Sequence, residues 1–509
     1  LVSAGTLQIG AGGTSGSIST SASITNNGTL VFNRSNSVTY ANVISGSGEL
    51  VQNGSGTLTL NGNNTYSGAT TVNSGTLSIS SVSALGSTSG VTLANATTLI
   101  YNGAAGNLTR DISVTSGTGT IRNSGSGLLT LSGALSKNGT TLTLAGGSNG
   151  ITVSGVVSGS SANSDLVIDG GTTTLANANT YNGTTSIING ATLNANVTNA
   201  LPTANGRTAI SIDTTGTGSS TLALGASQSV ASLTGAASSN VTLGANTLTL
   251  GTTSGNTTYA GRITGASNSA LVKDGTSTQV LTGNNSGFTG TTTINSGTLQ
   301  AAAAGAMGNS TVINVTGGSF LVTAANAVSD STNINLNGGR MAVSGTFNET
   351  VGALTLSANS TIDFAGFSGV LRFSSIGSWA SGANLSIWNW SGTTYWGTQV
   401  NNYATPSNLV FSNNSTLTSN LANISFYSDS GNSFVGSGFE LTGFSGGGSE
   451  IIAVPEPEVY LTGILLILGA TIYQLRLARQ GRGFLARFTF LRRRKAQAAS
   501  GQWNFLNHE

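Results

Sequence analysis

The 509-residue chain contains no cysteine and one histidine, His508, next to its last residue. Without cysteine there can be no disulfide staple, thiolate nucleophile or thiolate metal site. With no histidine in the body of the chain, a Ser-His-Asp arrangement and a histidine-based zinc site are unavailable there. Charge is also scarce, at 6% of residues against about 25% in an ordinary soluble protein. Disordered chains combine low hydrophobicity with high charge, whereas 38% of this chain is hydrophobic and regularly spaced. Without disulfides, a chain of this composition must be held by a large continuous core or by repetition.

The charges present are unevenly divided. Residues 1–458 hold nine Lys/Arg and fourteen Asp/Glu, a net −5, while residues 459–509 hold eight Lys/Arg and one Glu, a net +7. The body lacks the clustered basic residues that nucleic acid requires, so no nucleic-acid partner is expected. The chain opens at Leu1 within what reads as the end of a repeat unit, so the lack of a leading signal segment does not count against export.

Repetition is present. Gly46-Ser47-Gly48-Glu49-Leu50 leads to Gly56-Thr57-Leu58-Thr59-Leu60, then Asn64-Thr65-Tyr66-Ser67-Gly68 and Thr71-Val72-Asn73-Ser74-Gly75-Thr76-Leu77. The same order returns from Tyr259 through Leu271-Val272-Lys273-Asp274-Gly275, Val280-Leu281-Thr282-Gly283 and Phe288-Thr289-Gly290 to Gly297-Thr298-Leu299. Partial copies occupy 125–133 and 165–193. Alternation puts Leu58 and Leu60 on one strand face and the threonines on the other. The Asn-Gly and Ser-Gly pairs supply positive-φ turn residues. Gly, Thr, Ser and Asn are poor helix interiors, and glycine does not fall at every third position as collagen demands. The expected fold is therefore all-β: a right-handed parallel β-helix, or solenoid, over residues 1–345. At roughly 20 residues per coil and 4.8 Å per step, residues 1–350 would make a rod of around 80 Å. This pattern resembles the autotransporter-associated β-strand repeat, closely over 46–77, well over 258–299 and loosely over 165–193. The resemblance implies a β-helical passenger region on the surface of a Gram-negative-type bacterium. Nothing after residue 440 has the successive amphipathic strands of an outer-membrane barrel.

Residues 346–450 differ in side-chain size. Trp379, Trp388, Trp390 and Trp396 fall in one span with Tyr395 and Tyr403, flanked by Phe364, Phe367, Phe373 and Phe411. One reading is an aromatic-rich β cap that closes the solenoid core, which fits the alternation of Leu385-Ser386-Ile387-Trp388. The other is a sugar-stacking platform on Trp388, Trp390 and Trp396, with extracellular polysaccharide as partner.

No catalytic constellation stands out. Asp165 and Asp169 share a strand face about 13 Å apart, beyond the roughly 5–9.5 Å of glycosidase pairs, and read as strand-end or turn residues. Asp330, Glu349 and Asp363 are isolated in sequence. The calcium-binding Gly-Gly-x-Gly-x-Asp run is absent. Neither enzyme activity nor a metal or other cofactor is expected.

The tail has its own logic. A Pro-Glu-Pro linker at 451–458 precedes an uncharged run from Val459 to Tyr473. As a helix those fifteen residues span about 22 Å, short of the roughly 30 Å hydrocarbon core. Extension through Leu477, with Arg476 and Arg479 snorkelling, predicts one transmembrane helix over 459–477. Arg476, Arg479, Arg482, Arg487, Arg492, Arg493 and Arg494 then place residues 478–509 in the cytoplasm and the body outside. Val454-Pro455-Glu456-Pro457, an apolar helix and arginines resemble the PEP-CTERM sorting signal. That resemblance implies recognition of Pro455, Glu456 and Pro457 by an exosortase, a membrane cysteine protease, at the inner membrane. About thirty residues follow the first basic cluster, more than the usual signal carries. The tail is thus read as a transient anchor, after which the protein passes to the cell surface or matrix, or as a lasting one. The leading expectation is a structural or adhesive surface protein; the alternatives are a polysaccharide-binding protein and a β-helical polysaccharide lyase or hydrolase.

Overall fold

Short Thr/Leu/Val/Ile runs cut by Gly and Asn each have one apolar side and two unpaired backbone edges. Stacking such runs in parallel buries the apolar side and pairs both edges. A computed structural model describes residues 1–19, 22–203, 206–214, 218–251, 255–391, 407–412, 420–442 and 449–454. Over them the chain is an all-β parallel solenoid of about 17 turns, and its only helical pieces are the 3-10 turns Val82–Leu85 and Leu421–Asn423.

One face runs through the whole stack. It starts with Val38–Tyr40, Thr57–Leu60 and Thr76–Ile79 and ends with Ser360–Asp363, Leu385–Trp388 and Ile424–Tyr427, joined throughout by parallel pairings. Those seventeen steps, at roughly 4.8 Å each, make this face about 80 Å long. A second face stacks eight strands from Thr6–Ile9 to Val157–Ser158, and a third stacks eight from Gly106–Leu108 to Arg262–Thr264. From Gln228–Val230 onward a further stack takes the second face's place in the chain order and continues to Ser407–Phe411. The cross-section is therefore three-sided where all three faces carry strands.

Leu58 and Leu60 point inward, 1% and 0% exposed, while Thr57 and Thr59 lie half-buried on the outside. The inward rows form one hydrophobic core from Val2 to Ala453. Corners between faces bring the main chains of adjacent turns so close that a side chain cannot fit. A Cβ on Gly68 would lie 2.2 Å from the Gly48 carbonyl oxygen, and one on Gly183 2.2 Å from that of Ser164.

The aromatic-rich stretch beyond residue 345 continues the parallel stack. Phe367–Trp379 pairs in parallel with Glu349–Ala358 on one side and Ser407–Phe411 on the other. Strand direction changes only after Ile424–Tyr427. Phe434–Thr442 runs antiparallel to it, and Ser449–Val454 runs antiparallel to both Phe434–Thr442 and Ser407–Phe411. These two strands bridge the two remaining faces at the end of the stack. Among the described residues no helix is long and apolar enough to cross a membrane. The helix expected over 459–477, with Pro455 and everything after it, lies outside the described residues.

The corner contacts give a direct test. Gly68→Ala should destabilise the protein by about 1–3 kcal/mol through overpacking. Gly13→Ala, with nothing within 4 Å of the added carbon, should stay within about 0.5 kcal/mol of the parent. Urea unfolding of the two variants measures the difference.

Candidate functional site

The repeated motif is a clamp between turns. Asn64 is buried; its Oδ1 accepts the Ile44 N–H at 2.7 Å and its Nδ2 donates to the Ala84 carbonyl at 2.5 Å. One side chain thus ties the turn before to the turn after. Asn179 does the same with Val157 N–H at 2.8 Å and Ala200 carbonyl at 2.7 Å, and Asn285 with Ile263 and Ala306, both at 2.6 Å. Two residues on, buried Tyr66 hydrogen-bonds Thr70 at 2.7 Å, and Thr70 reaches Thr88 on the next turn at 3.1 Å. Tyr181, Thr185 and Thr208 repeat this at 2.6 and 3.0 Å. In the third copy Phe288 replaces the tyrosine, one residue later, and Thr292 bonds Ser310 at 3.3 Å. By sequence alone Asn64, Asn179 and Asn285 are only members of a repeated motif. The fixed order Asn, aromatic, Gly, Thr was the available signal that they form a unit.

Glu349 occupies an equivalent place. Its Oε1 accepts the Val328 N–H at 2.8 Å, while its buried Oε2 has no partner. Burial raises its pKa to about 7; N–H groups of Val328, Asn326 and Ala327 pull it down, and the Asp330 charge pushes it up. Two lysines that the sequence reading did not single out are buried as well. Lys137 donates to the Ser164 carbonyl and lies 4.0 Å from the centre of the Tyr181 ring; burial lowers its pKa to about 7, against the pull of Asp165. Lys273 takes an inward position in register with Leu250 and Ile294 and turns its ammonium to the carbonyls of Asp274 and Gly275, at 2.8 and 2.7 Å.

The acidic residues considered for catalysis are engaged or apart. Asp165 accepts Thr184 N–H and Oγ1 at 2.8 and 2.9 Å, and Asp169 accepts Asn189 Nδ2 at 2.6 Å. Both tie neighbouring turns. Asp363 is buried against Arg340 and accepts Asn389 Nδ2 at 2.7 Å, while Asp330 is exposed. Among the described residues no three His, Cys, Asp or Glu gather as metal ligands would.

Of the aromatic residues, Trp390 is enclosed. It lies edge-on to Phe364 at 5.6 Å and to Phe426 at 4.9 Å and is 5% exposed, so it offers no open face to a sugar ring. Trp388 is half-buried over Gly431, and Trp379 donates to the Ala383 carbonyl at 2.9 Å. Trp396, Tyr395 and Tyr403 lie outside the described residues, as do Pro455, Glu456, Pro457 and the arginines from Arg476 to Arg494.

The family model of the passenger-associated transport repeat matches residues 50–79, 168–195 and 271–301. Those are the segments built around Asn64, Asn179 and Asn285. The chain is also 46% identical over 102 residues to the adhesin BmaC autotransporter of Brucella suis biovar 1 (strain 1330). That match takes in 20% of this chain and 3% of the relative, so this chain spans a small part of the relative's length. No solved structure matches the chain.

Two measurements check the clamps. Asn179→Ala leaves the Val157 N–H and the Ala200 carbonyl buried without partners and should cost about 1–3 kcal/mol for each group, read as faster hydrogen exchange at Val157. Glu349 holds its proton more tightly in the folded than in the unfolded chain. Its stabilising contribution is therefore complete below about 4.5 and is lost as pH rises through about 7. Glu349→Gln should flatten the pH dependence of urea unfolding across that window.

Proposed function

We propose that this autotransporter-associated β-strand repeat protein is an exported, non-enzymatic stalk that holds adhesive or structural surface away from the cell. The observation that carries the reading is the single uninterrupted face of seventeen parallel steps, clamped across turns by Asn64, Asn179 and Asn285. Stacked repeats of this kind supply length and stiffness without a globular pocket. The relative's name as an adhesin supports the same role.

The route to the surface is the second half of the proposal. Pro455, Glu456 and Pro457 are the recognition residues for an exosortase-type membrane protease. Residues 459–477 cross the inner membrane before or during sorting, with the arginines from Arg476 onward on the cytoplasmic side. The charge division, −5 before residue 459 and +7 after it, supports that orientation.

Mass spectrometry of the mature C-terminus tests the route in cells with and without the exosortase. The expected result is loss of the segment after the Pro-Glu-Pro motif only where the exosortase is present. An intact Glu509 in both strains would make the tail a permanent anchor.

A further inference from the structure

We propose that the cleft above Ala145, on the long face of the solenoid, binds an acidic saccharide: one or two pyranose units bearing a single carboxylate. Three consecutive strands build it. Arg122 is the penultimate residue of Thr118–Asn123, Ala145 ends Thr141–Ala145, and Asp169 ends Asp165–Asp169. Arg122 is in register with Ala145, and the Leu144–Ile168 pairing places Asp169 next in the same outward column. The column thus reads cation, methyl, anion, and its charged members stand two steps, or about 10 Å, apart.

The small middle residue, 4% exposed, lies at the floor of a cleft between its larger neighbours. Among the described residues the ion pairs are Arg207–Asp274 and Arg340–Asp363, so Arg122 and Asp169 do not pair. The cleft holds about 320 Å³, and Gly147, Gly170, Gly171, Ser124 and Ser148 are among the residues that line it. That volume is at the lower end of the roughly 300–1,000 Å³ of small-ligand sites. Glycine is enforced in the wall: a Cβ on Gly171 would lie 2.0 Å from the Gly147 carbonyl oxygen, and one on Gly147 2.3 Å from that of Asn123. Neither Gly147 nor Gly171 can carry a side chain.

The chemistry of the rim selects the ligand. The exposed Arg122 guanidinium offers a planar fork that matches a carboxylate. Asp169 accepts one bond from Asn189 and has acceptor capacity left for sugar hydroxyls. The same carboxylate repels a ligand with several negative charges, which disfavours phosphates and nucleic acid. Ser124 and Ser148 are hydroxyls suited to a polyhydroxylated ring.

The full-length chain, titrated by calorimetry with galacturonate and with its neutral counterpart galactose, tests the assignment. The acidic sugar should bind, and the neutral one about tenfold or more weakly. Arg122→Ala should weaken acidic binding by about tenfold or more, and Ala145→Leu should block it by filling the cleft. Arg262→Ala, exposed on another face, should leave it unchanged. Absence of binding to the parent protein, equal binding by Arg122→Ala, or displacement of the sugar by equimolar inorganic phosphate would each overturn the proposal. Binding is read on the isolated protein, so the result is independent of how the tail is processed.

Discussion

Parallel stacking at one strand spacing per turn sets the terms for everything else in this molecule. Each strand hydrogen-bonds the strand before it and the strand after it, so no turn can move apart from its neighbours without leaving main-chain groups unpaired. Side chains inside the stack must therefore repeat in kind, and the corners must be thin. Gly68, Gly183 and the glycine wall beside Ala145 all answer to this spacing. Buried polar side chains answer to it as well. Asn64, Asn179, Asn285, Glu349 and Lys137 each bond main chain of another turn.

That arrangement links sequence economy to mechanical role. A turn touches only its neighbours, so stability accumulates along the axis rather than around a single centre. The clamps add side-chain ties that reach across three successive turns. The first and third clamp corners follow a strand of the long face, whereas the second precedes one. The repeat thus fixes the local order of strand, strand and corner, but not which face the corner meets. Stiffness of this kind needs few charges, which accounts for the low charge of the body.

Much of this could be read from the residues. Thr57-Leu58-Thr59-Leu60 alternates as expected, and so does Leu385-Ser386-Ile387-Trp388. The spacing of Asp165 and Asp169 marks them as strand-end or turn residues; they bound one strand, and both serve as acceptors between turns. What stayed hidden depends on neighbours far along the chain. Lys273 sits between Leu250 and Ile294 in an inward row, a fact set by register and invisible in its own segment. Glu349 looked isolated because the N–H it accepts belongs to the preceding turn. The Arg122–Ala145–Asp169 column is likewise an alignment of three turns. Trp390 could be placed in an aromatic span, but its enclosure depends on Phe426, which arrives one turn later.

In a single continuous stack, distance along the axis grows by one fixed step per turn. The chain has no cysteine, so paired spin labels can be introduced cleanly on the outside of the long face. With labels at Thr57 and Val167, five steps apart, and at Thr57 and Thr298, eleven steps apart, the backbone separations should be about 24 Å and about 53 Å. Pulsed electron spin resonance that returns narrow distributions near those values supports a single continuous stack. Broad distributions, or a second distance no greater than the first, would contradict it.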